Sequence, residues 1–401
     1  MLSGIISYAG GFRVSLQGVK QLAMAHTSAH AEDASIAFFN PGGISFIPNK
    51  LSVAAGGFGA FSTVTYQNTN TLQSYETDNP IGTPIYAAVA YKIVDNVSVG
   101  FSFTTPYGST IQYPDDWSGR EMVQKMSLKS MYFQPMVSFK LAPWASLGVS
   151  YIYATGSVDW DKAATNIGGT VNIKDEKAKG SGFGMGFYFK PSDRLDIGLA
   201  YRSKVGMKAE NGIASFSVPS SLYGSLGLNS AGQDAFTATL PLPEEYTIGA
   251  TYKIKPTWKL SADFNYTGWE AYDRLTLDFA NAPIGNQADP TVLVNPKNFK
   301  NSKTFRVGTE YQFSSMIAGR LGWFYDEAAY EPQDFTPETP SFDAHAITAG
   351  FGLRFRGFGV DVAAAKTFPQ YRTFHNMNTN FSGQAKASTL YVGLGLSYNA
   401  F

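Results

Sequence analysis

Trp258-Lys259-Leu260-Ser261-Ala262-Asp263-Phe264-Asn265-Tyr266 alternates apolar and polar side chains without interruption. In an extended chain one face presents Trp258, Leu260, Ala262, Phe264 and Tyr266, and the other Lys259, Ser261, Asp263 and Asn265. The same beat runs through Tyr246, Ile248, Ala250, Tyr252 and Ile254, through Phe305, Val307, Thr309, Tyr311 and Phe313, and through Leu390, Val392, Leu394, Leu396 and Tyr398. Strands of this kind are predicted at roughly Leu51 to Phe61, Thr83 to Lys92, Val97 to Thr105, Met126 to Leu141, Ala145 to Val158, Ser181 to Lys190 and Leu195 to Met207. They continue at Glu244 to Ile254, Trp258 to Leu277, Lys303 to Phe313, Met316 to Tyr325, Ala344 to Phe355, Phe358 to Phe368 and Ala387 to Asn399. Short links alternate with long ones between them, the pattern of an all-β, 14-stranded antiparallel transmembrane β-barrel.

Composition fits a barrel and excludes other classes. Of 401 residues, 30 are Phe, 23 Tyr and 40 Gly, while only 15% are charged. Aromatics supply the girdles at both membrane interfaces. No run of about 18 apolar residues occurs, so helical spans are excluded. Barrel strands show lipid only every second residue, so a mean hydropathy near zero is compatible with membrane insertion. Lys and Arg balance Asp and Glu at 31 each, leaving no basic surplus to neutralise phosphates and hence no nucleic-acid partner. There is no cysteine, and no cofactor or metal is expected.

The links assign the two sides. Val94-Asp95-Asn96, Pro191-Ser192-Asp193 and Lys255-Pro256-Thr257 carry turn chemistry and suit the periplasmic side. Residues 206–243, 278–302 and 326–343 are long and fall on the extracellular side. An even strand count then leaves both termini periplasmic. Opposite the apolar face lie Asp196, Arg202, Lys204, Lys259, Asp263, Arg306, Glu310, Arg320, Arg354 and Asp361. Each would cost a few kcal/mol facing lipid at mid-depth, so they are predicted to line the lumen.

Residues 1–9 are apolar and end in Ser7-Tyr8-Ala9, as a signal remnant or a disordered N-terminus would. Residues 10–48 do not read as strand. Val19 to Ala25 is helix-permissive, Ala31 to Phe38 forms a second apolar cluster, and Asn40-Pro41-Gly42-Gly43 is a turn. Fourteen strands enclose more space than their own side chains fill. The segment is therefore expected to fold into the lumen as a plug, with residues 49–401 forming the barrel; a periplasmic tail is the alternative.

The segments Gly11-Phe12-Arg13 to Gln17-Gly18-Val19 and Ala31-Glu32-Asp33-Ala34-Ser35 to Phe39-Asn40-Pro41-Gly42-Gly43 resemble the hatch of the FadL family of outer-membrane long-chain fatty acid transporters. Pro106-Tyr107-Gly108, Trp117-Ser118-Gly119-Arg120, Ala200-Tyr201-Arg202-Ser203, Leu242-Pro243-Glu244, Phe305-Arg306-Val307-Gly308 and Tyr398-Asn399-Ala400-Phe401 extend the likeness over nearly the whole chain. The resemblance implies a barrel with an N-terminal hatch that passes hydrophobic compounds through a lateral opening, in the outer membrane of a Gram-negative bacterium. It places the opening at a kink in the third strand, here Pro106, Tyr107 and Gly108, with the hatch turn Asn40, Pro41 and Gly42 beside it. Glycine stands at 42 where the family has alanine. Pro106 cannot donate to the ladder, so pairing should fail locally and the freed backbone groups need partners, which a hatch beneath would supply. Alternatively, Pro106 ends the strand at its extracellular rim.

The expected function is passive uptake of a long-chain fatty acid or similar hydrophobic molecule by a monomeric barrel, with release sideways into outer-membrane lipid. Burying a sixteen-carbon tail is worth on the order of 10 kcal/mol, at about 0.8 per methylene. Residues 206–243 offer a capture loop, with Phe216, Leu222, Tyr223 and Leu226. A carboxylate head group needs a cation. The resemblance matches the family's head-group arginine and lysine to Trp160 and Lys300, leaving only Lys300, with Lys162 or Lys303 as substitutes; all three read equally as solvated rim lysines. The absent arginine leaves room for uncharged or aromatic hydrocarbons. A hydrolase finds no parts, because His26, His30, His345 and His375 sit in no nucleophile motif. His26 and His30 share a helical face at i, i+4 but lack the glutamate of a zinc motif. Gly180, Gly182, Gly184 and Gly186 at period two are one face of a strand, with Phe183, Met185, Phe187 and Phe189 on the other. An unplugged porin for small hydrophilic solutes shares the polar lumen and differs in conducting ions.

Overall fold

The computed structural model describes residues 10–285, 288–369 and 371–400. The leader reading for residues 1–9 and the terminal Phe401 lie outside the described residues. The fold is a closed 14-strand antiparallel β-barrel. Its strands are β1 (Leu51–Gln67), β2 (Ile85–Val94), β3 (Val97–Thr104), β4 (Lys125–Ala142), β5 (Ala145–Ala164), β6 (Gly169–Ser192) and β7 (Leu195–Arg202). The second half comprises β8 (Glu245–Lys255), β9 (Trp258–Thr267), β10 (Ser302–Gln312), β11 (Ile317–Asp326), β12 (Ala344–Phe355), β13 (Phe358–Pro369) and β14 (Phe381–Ala400). β1 pairs with β2 on one side and with β14 on the other, from Leu51 opposite Ala400 to Gln67 opposite Gln384, which seals the ring.

The alternation found in the sequence is the in–out alternation of the wall. Ile248 is 50% exposed, Val307 49% and Leu321 59%, all on the outer face, and such a band is stable only against acyl chains. Nine of the ten predicted lumenal charges are buried or half-buried on the inner face. They ladder across strands: Lys259 donates to Glu310 at 2.8 Å, Arg320 to Glu310 and to Asp361 at 2.6 Å each, and Arg354 to Asp361 at 2.9 Å. Lys204 is the exception and is exposed. Arg202 and Ser203 are buried in succession, so the in–out parity slips by one residue there.

Three long links differ from expectation. Residues 206–243 are mostly a hairpin, Val205–Ser217 against Gln233–Leu242, which continues the wall outward from β7 and β8. Its register shifts between Ala209 and Gly212, and this irregularity hides the strand from a period-two reading. β6 begins at Gly169, well before the expected Ser181. The third link contains Arg274–Phe279 paired with Val292–Pro296.

Residues 10–48 are buried almost throughout against the inner wall. Helix α1 (Val19–Met24) ends where Ala25 turns left-handed at φ 49°, so His26 and His30 share no helical face. His26 Nδ1 instead lies 3.1 Å from Asp263. His30, Glu32 and Glu310 converge, with the Lys259 ammonium donating to both carboxylates. Inner-face glycines admit the segment. A Cβ at Gly308 would lie 1.7 Å from Met24 O, and one at Gly186 2.1 Å from Asn40 Oδ1. The latter residue belongs to the glycine face predicted at period two.

Candidate functional site

β3 stops at Thr104, opposite Tyr132, and the chain resumes pairing as Gly108–Gln112, with Gly108 opposite Lys129. Three residues thus face two on β4, and Pro106 brings no N–H. Each exposed backbone group in this break is nonetheless bonded. Thr105 N–H donates to Gln17 Oε1, and Gln17 Nε2 donates to Thr105 O, both at 3.1 Å. Val14 N–H reaches Pro106 O at 2.8 Å, and Gly108 N–H reaches Phe12 O at 2.9 Å. Tyr107 N–H and O are taken by Ser130 Oγ and N. The extended stretch Phe12 to Val14 therefore substitutes for the missing strand, with Arg13 bridged to Tyr107. On the opposite side the chain at 82–84 follows β1, where Phe58 N–H bonds Pro84 O and Ala60 pairs with Gly82. Among the described residues no strand pairing joins 79–84 to 106–111, and the wall is unzipped over this stretch.

Behind the break lies a cavity walled mainly by apolar side chains. Its lining includes Phe12, Tyr107, Met126, Leu128, Trp160, Ile173, Phe236 and Tyr272, and Lys129 is the one charged residue in it. This apolar character suits a hydrophobic ligand. Phe12 and Tyr107 belong to both features. Their rings stand 6.2 Å apart, with Phe12 also against Trp269 at 4.9 Å. Tyr107 is fixed from behind: its hydroxyl donates to Glu245 Oε1 at 2.8 Å, and Glu245 also accepts from Arg202 at 3.0 Å and from Arg13 at 2.8 Å.

Residues 2–400 match the family described as outer membrane protein transport protein (OMPP1/FadL/TodX). The chain belongs to this family. Among relatives of this FadL-family barrel, a 47 kDa outer membrane protein of Pasteurella multocida is 25% identical over 55% of this chain and 50% of its own length. A long-chain fatty acid transport protein of Salmonella typhi is 21% identical over 74% and 72% of the two chains. In fold, a Pseudomonas aeruginosa FadL homologue superposes with a TM-score of 0.85 at 19% identity, over 98% of this chain and 100% of the other. The Ralstonia pickettii toluene transporter TbuX gives 0.73 at 14% identity, over 96% and 99%.

In this FadL-family barrel the expected site residues separate into two sets. Pro106, Tyr107 and Gly108 form the break. Asn40, Pro41 and Gly42 do not reach it; Phe12, Val14 and Gln17 do. The turn instead seats on the glycine face of β5 and β6, where a Cβ on Gly42 would lie 2.5 Å from Gly186 O, which accounts for glycine in place of alanine. Asn40 holds the turn by accepting from Gly42 N–H at 3.0 Å and donating to Ser28 O and Phe187 O.

The lysines need correction. Lys300 pairs with Glu331 on the exposed rim, and Lys303 lies on the outward face beside Phe305. Neither lines the cavity: Lys303 has outward parity between the inward Ser302 and Thr304, and Lys300 precedes β10. Lys162 sits with its ammonium 5.3 Å from the ring centre of Trp160, which does line it. Sequence reasoning missed Lys297, 5.9 Å from the same ring and ion-paired with Glu338. Burial works against the charge on Glu338, but Lys297 outweighs it and holds the carboxyl below the usual range. Its nearness to Lys300 was the available signal; the pairing was not. The capture-loop residues also divide. Phe216 is buried with Phe236 in the apolar cluster, whereas Leu222, Tyr223 and Leu226 are half-buried at the hairpin tip.

Proposed function

We propose that this barrel takes up hydrophobic molecules passively: a long-chain fatty acid or similar compound occupies the apolar cavity and leaves sideways into the bilayer through the break at Pro106 to Gly108. In this reading residues 10–48 are the hatch and a single self-closed chain suffices. The observation that carries it is the double role of Phe12 and Tyr107, which wall the cavity and border the unzipped stretch. A shift of these two side chains would join ligand site and opening without disturbing the sealed strands.

An almost uncharged lining, with Lys297 committed to Glu338, favours uncharged or aromatic hydrocarbons as a second reading. Relatives named for fatty acid and for toluene transport bracket both. The test is saturable uptake of labelled oleate and of toluene into liposomes holding wild type, Gly108→Ala or Gly108→Arg. A Cβ at 108 lies 3.1 Å from Leu128 O, so alanine reports on packing alone while arginine adds bulk beside the opening. Uptake lost only with arginine is expected; uptake unaffected by arginine refutes the lateral route, and no uptake of either compound by wild type refutes transport.

A further inference from the structure

A second cavity, lined by Arg13 next to Phe12 and by Glu245, the acceptor of the Tyr107 hydroxyl, has the opposite character. Phe12 faces the apolar side and its neighbour Arg13 faces this one, joined by Arg202, Arg306, Glu245, Asn265 and Thr247. Three guanidinium groups thus meet one carboxylate. Arg13 is engaged by Glu245, by Asn265 Oδ1 and by Thr304 Oγ1. Arg202 is held by Glu245 and by Phe38 O, with its guanidinium 3.8 Å over the Phe38 ring.

Arg306 is different. It is 2% exposed, its Nε has no hydrogen-bond partner, and no ion pair or hydrogen bond to its side chain is formed among the described residues. The acids that offset its charge are already used. Asp263 accepts from Thr27 N–H, Thr27 Oγ1 and Ser28 Oγ and lies against His26, and Asp326 accepts from Thr304 Oγ1 at 2.7 Å. A buried charge without a partner is costly, and a guanidinium is matched best by a carboxylate taken in two-pronged fashion.

We propose that this cavity is a carboxylate site of the transported molecule, with Arg306 as its receiving group and Arg13 and Arg202 flanking it. The proposal rests on the transport reading above. It assigns the tail to the apolar cavity and the head to the polar one, on either side of Phe12 and Tyr107. An incoming carboxylate also competes with Glu245 for Arg13, the residue that holds the substitute strand beside the break.

The test compares oleate with oleyl alcohol, which has the same tail and no charge, and with acetate, which has the charge and no tail. Binding and thermal melting are measured on the intact barrel in uncharged detergent, for wild type, Arg306→Gln and Arg306→Lys. Arg306→Gln should weaken oleate at least about tenfold, as loss of a charged hydrogen bond does, and leave oleyl alcohol unchanged. Arg306→Lys should retain part of the preference. The unliganded melting temperature should stay level or rise, because the charge removed had no hydrogen-bonded partner; a fall would mean that Arg306 is structural and would overturn the assignment. Equal losses for both long-chain probes, or none for either, would overturn it as well. Stabilisation by acetate without any preference for oleate would give the site to a small anion and remove the substrate from it. Failure of the transport reading is distinguishable, since then neither long-chain probe binds wild type.

Discussion

Gln17 is the residue on which the repair of the broken strand most depends, and Gln17→Ala has a calculable effect. The amide side chain accepts from Thr105 N–H at 3.1 Å and donates to Thr105 O at 3.1 Å and Val14 O at 3.2 Å. Three net hydrogen bonds at about 1 kcal/mol each set an upper range near 3. Thr105 is half-buried, so water recovers part of this, leaving about 2 kcal/mol. That loss bears on local opening rather than on the barrel, whose closing ladder of β1 with β14 it does not touch. At 1.4 kcal/mol per decade, amide exchange at Thr105 and Gly108 should accelerate about thirtyfold, with amides of β10 and β14 unchanged. Hydrogen–deuterium exchange in micelles resolves this. Unchanged protection at Thr105 and Gly108 would refute the view that the N-terminal segment, through Gln17, closes the break.

Glu245→Ala removes the carboxylate shared by Arg13, Arg202 and Tyr107 and should cost about 3–5 kcal/mol, visible as a lower melting temperature; an unchanged melt would mean the three partners find other acceptors. Gly308→Ala places a methyl where Met24 O stands, so residues 10–48 should loosen in the lumen, and single-channel conductance should rise from near zero to measurable events. Glu338 lies in the external loop 327–343 with its pKa depressed by Lys297, so its stabilising contribution is present above the ordinary glutamate value of about 4.3 and is lost as pH falls below it. Limited proteolysis of this loop should therefore quicken between pH 7 and pH 3, and Glu338→Gln should cleave quickly at both; equal rates for wild type at the two pH values would count against the pairing.

The strands were legible because the bilayer demands alternation wherever a residue reaches it. Ile248, Val307 and Leu321 face lipid on schedule, and the charges between them face inward. Beyond the bilayer that demand lapses. The hairpin at 205–242, with its bulge at Ala209 to Gly212 and buried Phe216 and Phe236, therefore reads as a loop. The site was legible only in its backbone part. Pro106 announces a break from one missing N–H, but which residues repair it depends on folding the chain back, and Phe12, Val14 and Gln17 carry no local mark of that role. The lysines failed for a similar reason. Strand parity settles where Lys303 points, while Lys297 and Lys300 are placed by Glu338 and Glu331, farther along the chain.

The seam between β1 and β14 joins Leu51 to Ala400, the first and last residues of the barrel wall. Contacts between such distant residues carry the largest loop-closure cost and gain most from coming late in folding. Residues 10–48 precede β1 and rest on inner-face positions such as Asp263, Gly308 and Gly186, so with the seam closing late they can settle there while the sheet is still open along one side. Assembly in this sense resembles coopering: the cask can be filled before its last stave is set.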